Sequence, residues 1–250
     1  MDEIVNSRAT QKKILFVATV SYPFNTQLNQ LILFLQEEGW DTHVLCSDKP
    51  NIQGISFHPL NIAREISPIR DITSLFRLFL FLKRNDFSIV HSFNPKSGLL
   101  CSIAAKLAGN PIRLHTFTGQ VWATLTGLKK MLVKYSDKVI GILSSKCYCD
   151  SFSQKEFLVK EKVIFPEKLT VLAKGSLSGV DLKRFNRARF QEEELAEFRK
   201  QLNLSSKDFV LLFVGRITRD KGIKELIDAY QVLKVQYSNM KLLVVGPEEA

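Results

Sequence analysis

The most constraining feature of this sequence is a regular alternation between short apolar runs and longer segments with helical periodicity. Continuous apolar runs, typical of strands buried on both faces of a parallel sheet, occur at KILFVA (13–18), FSIVH (87–91) and FVLLFVG (209–215). Between such runs apolar residues recur at helical spacing, as do Leu28, Leu31, Ile32 and Leu35. Because parallel strands need a crossover, which is usually a helix, this alternation predicts an α/β fold with a doubly wound parallel sheet.

The remaining elements follow the same two patterns. Further strands are predicted at THVLCS (42–47), ISFHPL (55–60), IRLHTF (112–117), KCYCD (146–150), LTVLA (169–173) and KLLVVG (241–246). Helices are predicted at 69–85, 96–109, 191–202 and 221–236, with a long helix after Trp122 and a short one near residue 153. Gly39 and Gly109 are expected to end helices, and Ser153 with Glu156 to form a capping box.

The length of 250 residues suits two domains better than one. We expect a flexible N-terminus (1–12), a first domain over 13–185 and a second over 186–250. The second domain opens as the first does, with FVLLFVGR beside KILFVATV. The segment 174–190, rich in Gly, Ser and basic residues, is interpreted as the linker.

Composition narrows the class of protein. A hydrophobic fraction of 45%, with 18 Phe, predicts a folded chain, and a net charge of +10 favours anionic partners: nucleic acid, phosphorylated small molecules or an anionic membrane. No apolar run approaches the roughly 20 residues of a membrane-spanning helix, and the N-terminus lacks the apolar core of a secretory signal. With four cysteines and no export signal, we expect reduced thiols and a cytoplasmic location.

Two histidines are expected at the carboxyl ends of strands, the edge at which ligands bind in such sheets. His115 opens the stretch HTFTGQVW, where it is suited to donate to a sugar hydroxyl or to act as a base near neutral pH. The alternative is a strand end with a glycine turn and a structural histidine. His91 opens HSFNPKSG, whose Asn94, Lys96 and Ser97 either meet an anion at the next helix start or only cap that helix.

The stretch GRITRDKG (215–222) lies where a strand gives way to a helix. Backbone amides at a helix start attract anions, and Arg216 and Lys221 add positive charge suited to a diphosphate. The alternative is an ordinary solvated loop. Other sites are disfavoured, because neither G-x-G-x-x-G nor a P-loop occurs, and Cys147 and Cys149 lack the spacing of a zinc site.

Two predicted helices are both basic and amphipathic. In 128–139, Leu128, Met131, Leu132, Tyr135 and Val139 form one stripe, while another face carries Lys130, Lys134 and Lys138. In 72–84, apolar Leu75, Phe76, Phe79 and Leu82 accompany Arg77, Lys83 and Arg84. Such a helix either lies on anionic lipid or packs its apolar stripe on its own domain.

Five segments in order resemble one family: HSFNPKSGLL, PIRLHTFTGQVW, DSFSQKEFL, GSLSGVDLKRF and FVGRITRDKGIKELIDAY. Together they resemble retaining glycosyltransferases of the GT4 family, with closest similarity to bacterial enzymes that build O-antigen, capsule and related surface glycans. The resemblance runs from about Lys13 to the C-terminus. It implies the GT-B fold: an acceptor-side Rossmann-like domain and a second Rossmann-like domain that binds a nucleotide-sugar, commonly a UDP-sugar.

The resemblance also implies roles for residues. Arg216 and Lys221 would bind the donor diphosphate and stabilise its departing charge. His115 would be the catalytic residue that reaches the donor sugar, with His91, Thr118 and Gly119 in the substrate cleft. No metal or other cofactor is expected. The acceptor would be an undecaprenyl-diphosphate saccharide, which favours peripheral contact of the two basic helices with the inner face of the cell membrane.

One part of the family pattern lies beyond the sequence. The family's pair of glutamates separated by seven residues would follow Ala250. We therefore expect a complete acceptor-side domain and only the start of the donor-side domain. The alternative function is that of a non-catalytic remnant or binding subunit that keeps the acceptor and membrane surface. Nucleic-acid binding is disfavoured, because the basic residues are not part of a recognition motif.

Overall fold

The computed structural model describes residues 12–63 and 67–248. Of the N-terminus predicted to be flexible, residues 1–11 lie outside the described part. The chain divides into two compact units between Gly179 and Val180, a point within the predicted linker 174–190. We refer to them as unit 1 and unit 2.

Unit 1 is built on a seven-stranded sheet in which every neighbouring pair is parallel. Its strands are β1 (Lys13–Val17), β2 (Asp41–Cys46), β3 (Ser56–Pro59), β4 (Ile89–Phe93), β5 (Ile112–Phe117), β6 (Lys146–Cys149) and β7 (Leu169–Val171). The order β3-β2-β1-β4-β5-β6-β7 reverses direction at β1. The α/β fold with a doubly wound parallel sheet is therefore confirmed, because the apolar runs pair side by side with helical crossovers between them.

The crossovers supply six helices among the described residues of unit 1. They are α1 (Tyr22–Thr26), α2 (Asn29–Glu37), α3 (Pro68–Arg84), α4 (Pro95–Ala108), α5 (Gly127–Leu143) and α6 (Phe152–Lys160). Gly39 and Gly109 follow α2 and α4 with φ of 79° and 86°, so both predicted helix ends are confirmed. No helix in residues 12–63 or 67–248 is long and apolar enough to span a bilayer.

The predicted capping box of α6 is wrong by two residues. Ser151, rather than Ser153, caps the helix, and its hydroxyl accepts a hydrogen bond from the Gln154 amide at 3.1 Å. The Gln154 side chain in turn accepts from the Asp150 amide at 2.7 Å. Two serines two positions apart both fit the pattern, and the end of β6 at Cys149 decides which of them begins the helix.

The two faces of the sheet have separate cores. One face packs β1 side chains such as Phe16 against α1 and α2. On the other face Val17, Ser92, His115 and Cys147 stand side by side across β1, β4, β5 and β6. That second face is covered by α3, α4 and α5, with α4 in contact with both neighbours.

Unit 2 contains two parallel strands and two helices among residues 180–248. These are α7 (Glu192–Gln201), β8 (Phe209–Val214), α8 (Ile223–Gln236) and β9 (Met240–Val245). Phe209, Leu212 and Val214 of β8 are exposed, and Met240 is the one buried hydrophobic side chain within these described residues. The predicted similarity of KILFVATV and FVLLFVGR is thus confirmed, because β8, like β1, is followed by a helical segment and then by a parallel strand.

Candidate functional site

The loop that follows β5 lies at the carboxyl edge of the seven-stranded sheet. Thr118 and Gly119 are exposed there, and Gly119 has a φ of 141°, which favours a residue without a side chain. The Gln154 side chain holds the loop by donating to the Phe117 carbonyl at 3.2 Å and to the Gln120 side chain at 3.3 Å. The loop is therefore open to a ligand and anchored by α6.

Trp122, at the other end of HTFTGQVW, is buried beneath α5. Trp122 is only 1% exposed, and its indole nitrogen donates to the Asp137 carboxylate at 2.7 Å. Phe157 stacks on the ring at a centroid distance of 5.2 Å, and the Lys134 ammonium lies 5.3 Å from the ring centre. Burial raises the pKa of Asp137 to about 6, although the hydrogen bond from Trp122 opposes the shift.

His115 lies inside β5, so its predicted position at the strand end is wrong. The side chain is 1% exposed and sits beneath α4, where a Cβ atom at Gly98 would come within 2.5 Å of its Cε1. The Ser92 hydroxyl lies 2.9 Å from Nδ1 of the ring. Burial, aided by the nearby His91, lowers the pKa of His115 to about 3, which keeps the ring neutral at pH 7. Its catalytic role stays a prediction.

His91 occupies the opposite face of the sheet. It pairs in register with Leu114, whereas His115 pairs with Ser92, and side chains alternate between faces along a strand. Its ring packs on Phe93 at a centroid distance of 4.3 Å and hydrogen-bonds the Thr116 hydroxyl at 2.9 Å. Burial lowers the pKa of His91 to about 3. The two histidines therefore do not form one site, and His91 is within its strand rather than at the end.

In the loop after β4, neither Asn94 nor Ser97 caps the helix with its side chain, so the capping interpretation of HSFNPKSG is wrong. Asn94 is the residue before α4, with a φ of 68°, and its side chain makes no capping hydrogen bond. Ser97 donates to the Phe93 carbonyl, and Lys96 binds Asp71 at 2.8 Å. An L-residue held at positive φ is strained, and such strain concentrates at functional sites. Asn94 therefore remains a candidate ligand-binding residue at this edge.

Two carboxylates at the same edge were not singled out from the sequence. Asp48, after β2, accepts hydrogen bonds from the Ser21 amide at 3.0 Å and the Ser47 hydroxyl at 2.7 Å. The Ser21 hydroxyl also donates to this carboxylate, and together with the Ser47 hydroxyl and the Ser21 amide it lowers the pKa of Asp48. Asp150 follows β6, and burial raises its pKa. Their positions in the sequence could have identified them, because each is an acidic residue just past the carboxyl end of a predicted strand.

In unit 2, GRITRDKG forms the turn from β8 into α8. Arg216 and Lys221 are both exposed on it, and Arg216 binds Asp220 at 3.3 Å. A hydrogen bond from the Ile217 amide to the Pro247 carbonyl, at 2.9 Å, holds the turn against the end of β9. Gly222, with a φ of 71°, directs the chain into α8. The predicted position of the two cations, between the carboxyl end of a strand and the start of a helix, is therefore confirmed.

Metal-binding groups do not cluster in the part of the chain that the structure describes. Within 12–63 and 67–248, no three His, Cys, Asp or Glu side chains are arranged to hold an ion. Cys46, Cys101, Cys147 and Cys149 are free and buried, and burial raises the pKa of the Cys147 thiol to about 12. At neutral pH this thiol is protonated and a poor metal ligand.

Comparison with known proteins adds sequence relatives. Residues 13–144, more than half of the chain, match the family described as Glycosyl transferase 4-like, and residues 195–250 match Glycosyl transferases group 1. The capsular polysaccharide biosynthesis glycosyltransferase CapM of Staphylococcus aureus is 31% identical over 95% of this chain and 62% of its own length. The Escherichia coli UDP-Gal:alpha-D-GlcNAc-diphosphoundecaprenol alpha-1,3-galactosyltransferase is 32% identical over 75% of this chain and 49% of its own length.

Solved structures share the fold at low sequence identity. HepE of Anabaena, crystallised with UDP and glucose, has a TM-score of 0.68 at 15% identity, covering 95% of this chain and 62% of HepE. The sucrose-phosphate synthase of Thermosynechococcus elongatus has a TM-score of 0.70 at 19% identity, covering 94% of this chain and 62% of the synthase. By its family matches and its architecture, the chain belongs to the glycosyltransferase 4-like family and has the GT-B fold.

Proposed function

We propose that this chain acts in a glycosyltransferase that moves a sugar from a UDP-linked donor to an undecaprenyl-diphosphate-linked saccharide during synthesis of a cell-surface polysaccharide. The observation that carries the proposal is the GRITRDKG turn, which presents Arg216 and Lys221 at the start of α8. The similarity to CapM and to the Escherichia coli galactosyltransferase supports the reaction class, and the diphosphoundecaprenol-linked substrate of the latter supports the acceptor. The UDP bound to HepE supports the donor.

On the donor side, the chemistry required is stabilisation of a departing diphosphate. As the bond between the sugar and UDP breaks, negative charge grows on the diphosphate oxygens. Arg216 and Lys221 would donate charge-assisted hydrogen bonds to those oxygens, and the partial positive charge at the start of α8 would add to them. Fixed positive groups that interact with negative charge as it develops lower the activation barrier of the transfer, so this mechanism does not require a metal ion. We propose transfer with retention at the sugar carbon.

On the acceptor side, the proposed contacts lie at the carboxyl edge of the seven-stranded sheet. Exposed Thr118 and Gly119 and the strained Asn94 would meet saccharide hydroxyls there. His115 is too deeply buried to touch such a ligand, so we propose that it acts by positioning β5 and the loop that follows it. Since the acceptor is carried on a lipid, we propose that the protein works at the inner face of the cell membrane.

The donor assignment predicts that Lys221→Ala weakens binding of UDP by about tenfold or more, since a hydrogen bond to a charged group contributes roughly 1.5–3 kcal/mol. The matched control is Arg219→Ala, which removes an exposed cation from the same turn. Isothermal titration calorimetry with UDP on the full chain measures both. Equal weakening by the two changes would show only general attraction to positive charge and would overturn the assignment of Lys221.

A second measurement separates a transferase from a non-catalytic binding subunit. The full chain is incubated with radiolabelled UDP-sugars and with membranes that carry undecaprenyl-diphosphate saccharides. Transfer of label to lipid that depends on Lys221 supports the enzyme. Acceptor binding without any UDP binding would instead support the binding subunit and contradict the proposed function.

A further inference from the structure

A row of three ionisable side chains lies on β2 and on β3, the edge strand of the seven-stranded sheet. Oδ2 of Asp41 is 3.0 Å from Nε2 of His43, and Nδ1 of His43 is 2.9 Å from Nε2 of His58. The two imidazole rings are nearly coplanar, with an angle of 5° between them. The register explains this, because His58 pairs with Leu45, which follows His43 on the same face of β2. These three residues, here called the histidine row, have no part in the candidate sites described above.

The contacts within the histidine row favour one arrangement of its protons. The Asp41 carboxylate keeps a proton on Nε2 of His43, because it would repel a lone pair there. Nδ1 of His43 then accepts a hydrogen bond from the N–H at Nε2 of His58. The next proton must therefore enter at Nδ1 of His58. Within residues 12–63 and 67–248, this nitrogen has no hydrogen-bond partner.

The surroundings of His58 keep it neutral until a negative charge arrives. Burial, aided by His43, lowers the pKa of His58, and the Asp41 carboxylate partly opposes the shift. Phe81 of α3 packs on His58 at a centroid distance of 4.6 Å, and Phe87, just before β4, packs edge-on against His43 at 5.0 Å. Both of these neighbours are uncharged, so the charges felt by His58 come from its own row on β2.

His58 opens onto a cavity between β3 and α3 with a volume of about 310 Å³. Apolar side chains form most of the wall: Leu45, Pro59, Leu60, Leu78 and Phe81. The polar lining residues are His58, Asn61 and Arg77, and none of the described residues that line the cavity is acidic. A mostly apolar cavity of this size with a few polar groups on its wall is typical of a small-molecule site.

The helix α3 supplies a permanent positive charge to the cavity. This helix packs on its own domain, as the sequence allowed, through the apolar residues Leu75, Phe79 and Leu82. Arg77 is exposed and makes no ion pair or hydrogen bond with the part of the chain that the structure describes. Asp71, the acidic residue of α3, is instead bound by Lys96 at 2.8 Å. The charge of Arg77 is therefore available to a ligand.

We propose that this cavity binds a small organic anion, a carboxylate joined to an apolar group, between Arg77 and His58. The carboxylate would accept charge-assisted hydrogen bonds from the Arg77 guanidinium and from Nδ1 of protonated His58, and the apolar group would lie against Phe81. The proton at Nδ1 comes from the solvent, and Asp41 balances the charge of the protonated histidine row. Binding is thus accompanied by proton uptake. This inference does not rest on the proposed function.

The probe that tests the proposal is benzoate, with benzamide as its uncharged counterpart of similar shape. An NMR titration of the full chain measures both at pH 8 and at pH 6. We expect benzoate to bind about tenfold more tightly than benzamide at pH 6. Its affinity is expected to rise roughly threefold or more from pH 8 to pH 6, because a proton on His58 favours the anion.

The imidazole nitrogens give a second signal. The chain has four histidines, so each ring can be assigned by a single substitution. Benzoate is expected to move the resonance of Nδ1 of His58 towards the protonated range at pH 6. His58→Asn is expected to abolish the pH dependence of benzoate binding between pH 8 and pH 6. Asp41→Asn is expected to reduce it, because the protonated histidine row then lacks its balancing charge.

Arg77→Gln is expected to weaken benzoate binding about tenfold. The matched control is Arg84→Gln, which removes an exposed cation seven residues later on the same side of α3, outside the lining of the cavity. This control is expected to leave benzoate binding unaltered. Because Arg77 and Arg84 are both exposed, urea unfolding of the two variants should match the parent, which separates loss of binding from loss of folding.

Four results would each overturn the proposal. They are no benzoate binding by the folded parent chain at millimolar concentration, equal affinity for benzoate and benzamide, equal losses in Arg77→Gln and Arg84→Gln, and benzoate binding that neither changes with pH nor shifts the His58 resonance. The first three would remove the anion site, and the fourth would remove His58 from it.

Discussion

Acidification from pH 7 to pH 5 is expected to destabilise unit 1 by about 3 kcal/mol, because two buried histidines must stay neutral in the folded state. Burial lowers the pKa of both His91 and His115 to about 3. An unfolded histidine titrates near 6.5, so below that pH the unfolded chain binds protons that the folded chain does not. At pH 5 each histidine then favours unfolding by about 2 kcal/mol.

Asp137 opposes this trend in the same pH range. Its pKa is raised to about 6, so the folded chain takes up a proton there before the unfolded chain does. That uptake stabilises the folded state as pH falls from about 6 towards 4 and offsets the histidines by about 1 kcal/mol at pH 5. The net loss of stability therefore begins below about pH 6.5 and ends near the folded pKa of the histidines, about 3.

Urea unfolding followed by tryptophan fluorescence measures the effect. Both tryptophans, Trp40 and Trp122, lie in unit 1, so the signal reports on that unit. Asp137→Asn is the informative variant: it removes the opposing titration and should make the loss between pH 7 and pH 5 larger. A midpoint that does not move between these pH values would contradict the burial of the histidines.

Gly98→Val is expected to destabilise unit 1 by about 3 kcal/mol or more, since overpacking a filled site forces ring and backbone shifts. A Cβ atom at this position would lie 2.5 Å from Cε1 and 2.8 Å from Nδ1 of His115, and 3.1 Å from Cδ1 of Ile140. The imidazole is confined between α4 and the sheet by Ser92 and by Phe117, whose ring centre is 4.6 Å away. Movement of the ring away from α4 would therefore disturb its contacts with Ser92 and Phe117.

A double-mutant cycle identifies the contact. Gly98→Ala alone is expected to destabilise, because the clash outweighs the gain of about 1 kcal/mol that alanine brings to a helix interior. In a His115→Ala background only Cδ1 of Ile140 remains close, at 3.1 Å, and the space left by the ring lets this flexible side-chain end move, so the same change is expected to stabilise. The reversal of sign, measured by urea unfolding, is specific to this pair. If Gly98→Ala were equally destabilising in both backgrounds, the close approach of His115 to α4 would be refuted.

The elements were predictable because their signals are local. The runs KILFVA and FVLLFVG form β1 and β8, and Gly39 and Gly109 end their helices, since each depends on residues a few positions apart. The turn GRITRDKG was predictable for the same reason: a strand, two cations and a helix start follow one another along the chain. The capping box failed where two local solutions competed, at Ser151 and Ser153.

The candidate site of unit 1 was less predictable because it depends on register. His91 and His115 were recognised as strand residues, but a shift of one position reverses the face that a side chain occupies. The pairing of His91 with Leu114 sends the two histidines to opposite faces. Gln154 lies far along the sequence from the loop after β5 that it holds, so no local sequence pattern could have predicted its role.

The sequence by itself determined the β-α-β order, the family and the position of Arg216 and Lys221 in a turn at a strand end, because all of these are written in contiguous residues. Only the tertiary structure decided which faces are buried. It placed His115 under α4 and turned the Leu128–Tyr135 side of α5 outward, where an amphipathic pattern alone allowed either direction. The reason is physical: periodicity defines a face, but the neighbours that fill the space beside it decide whether that face meets the core or the solvent.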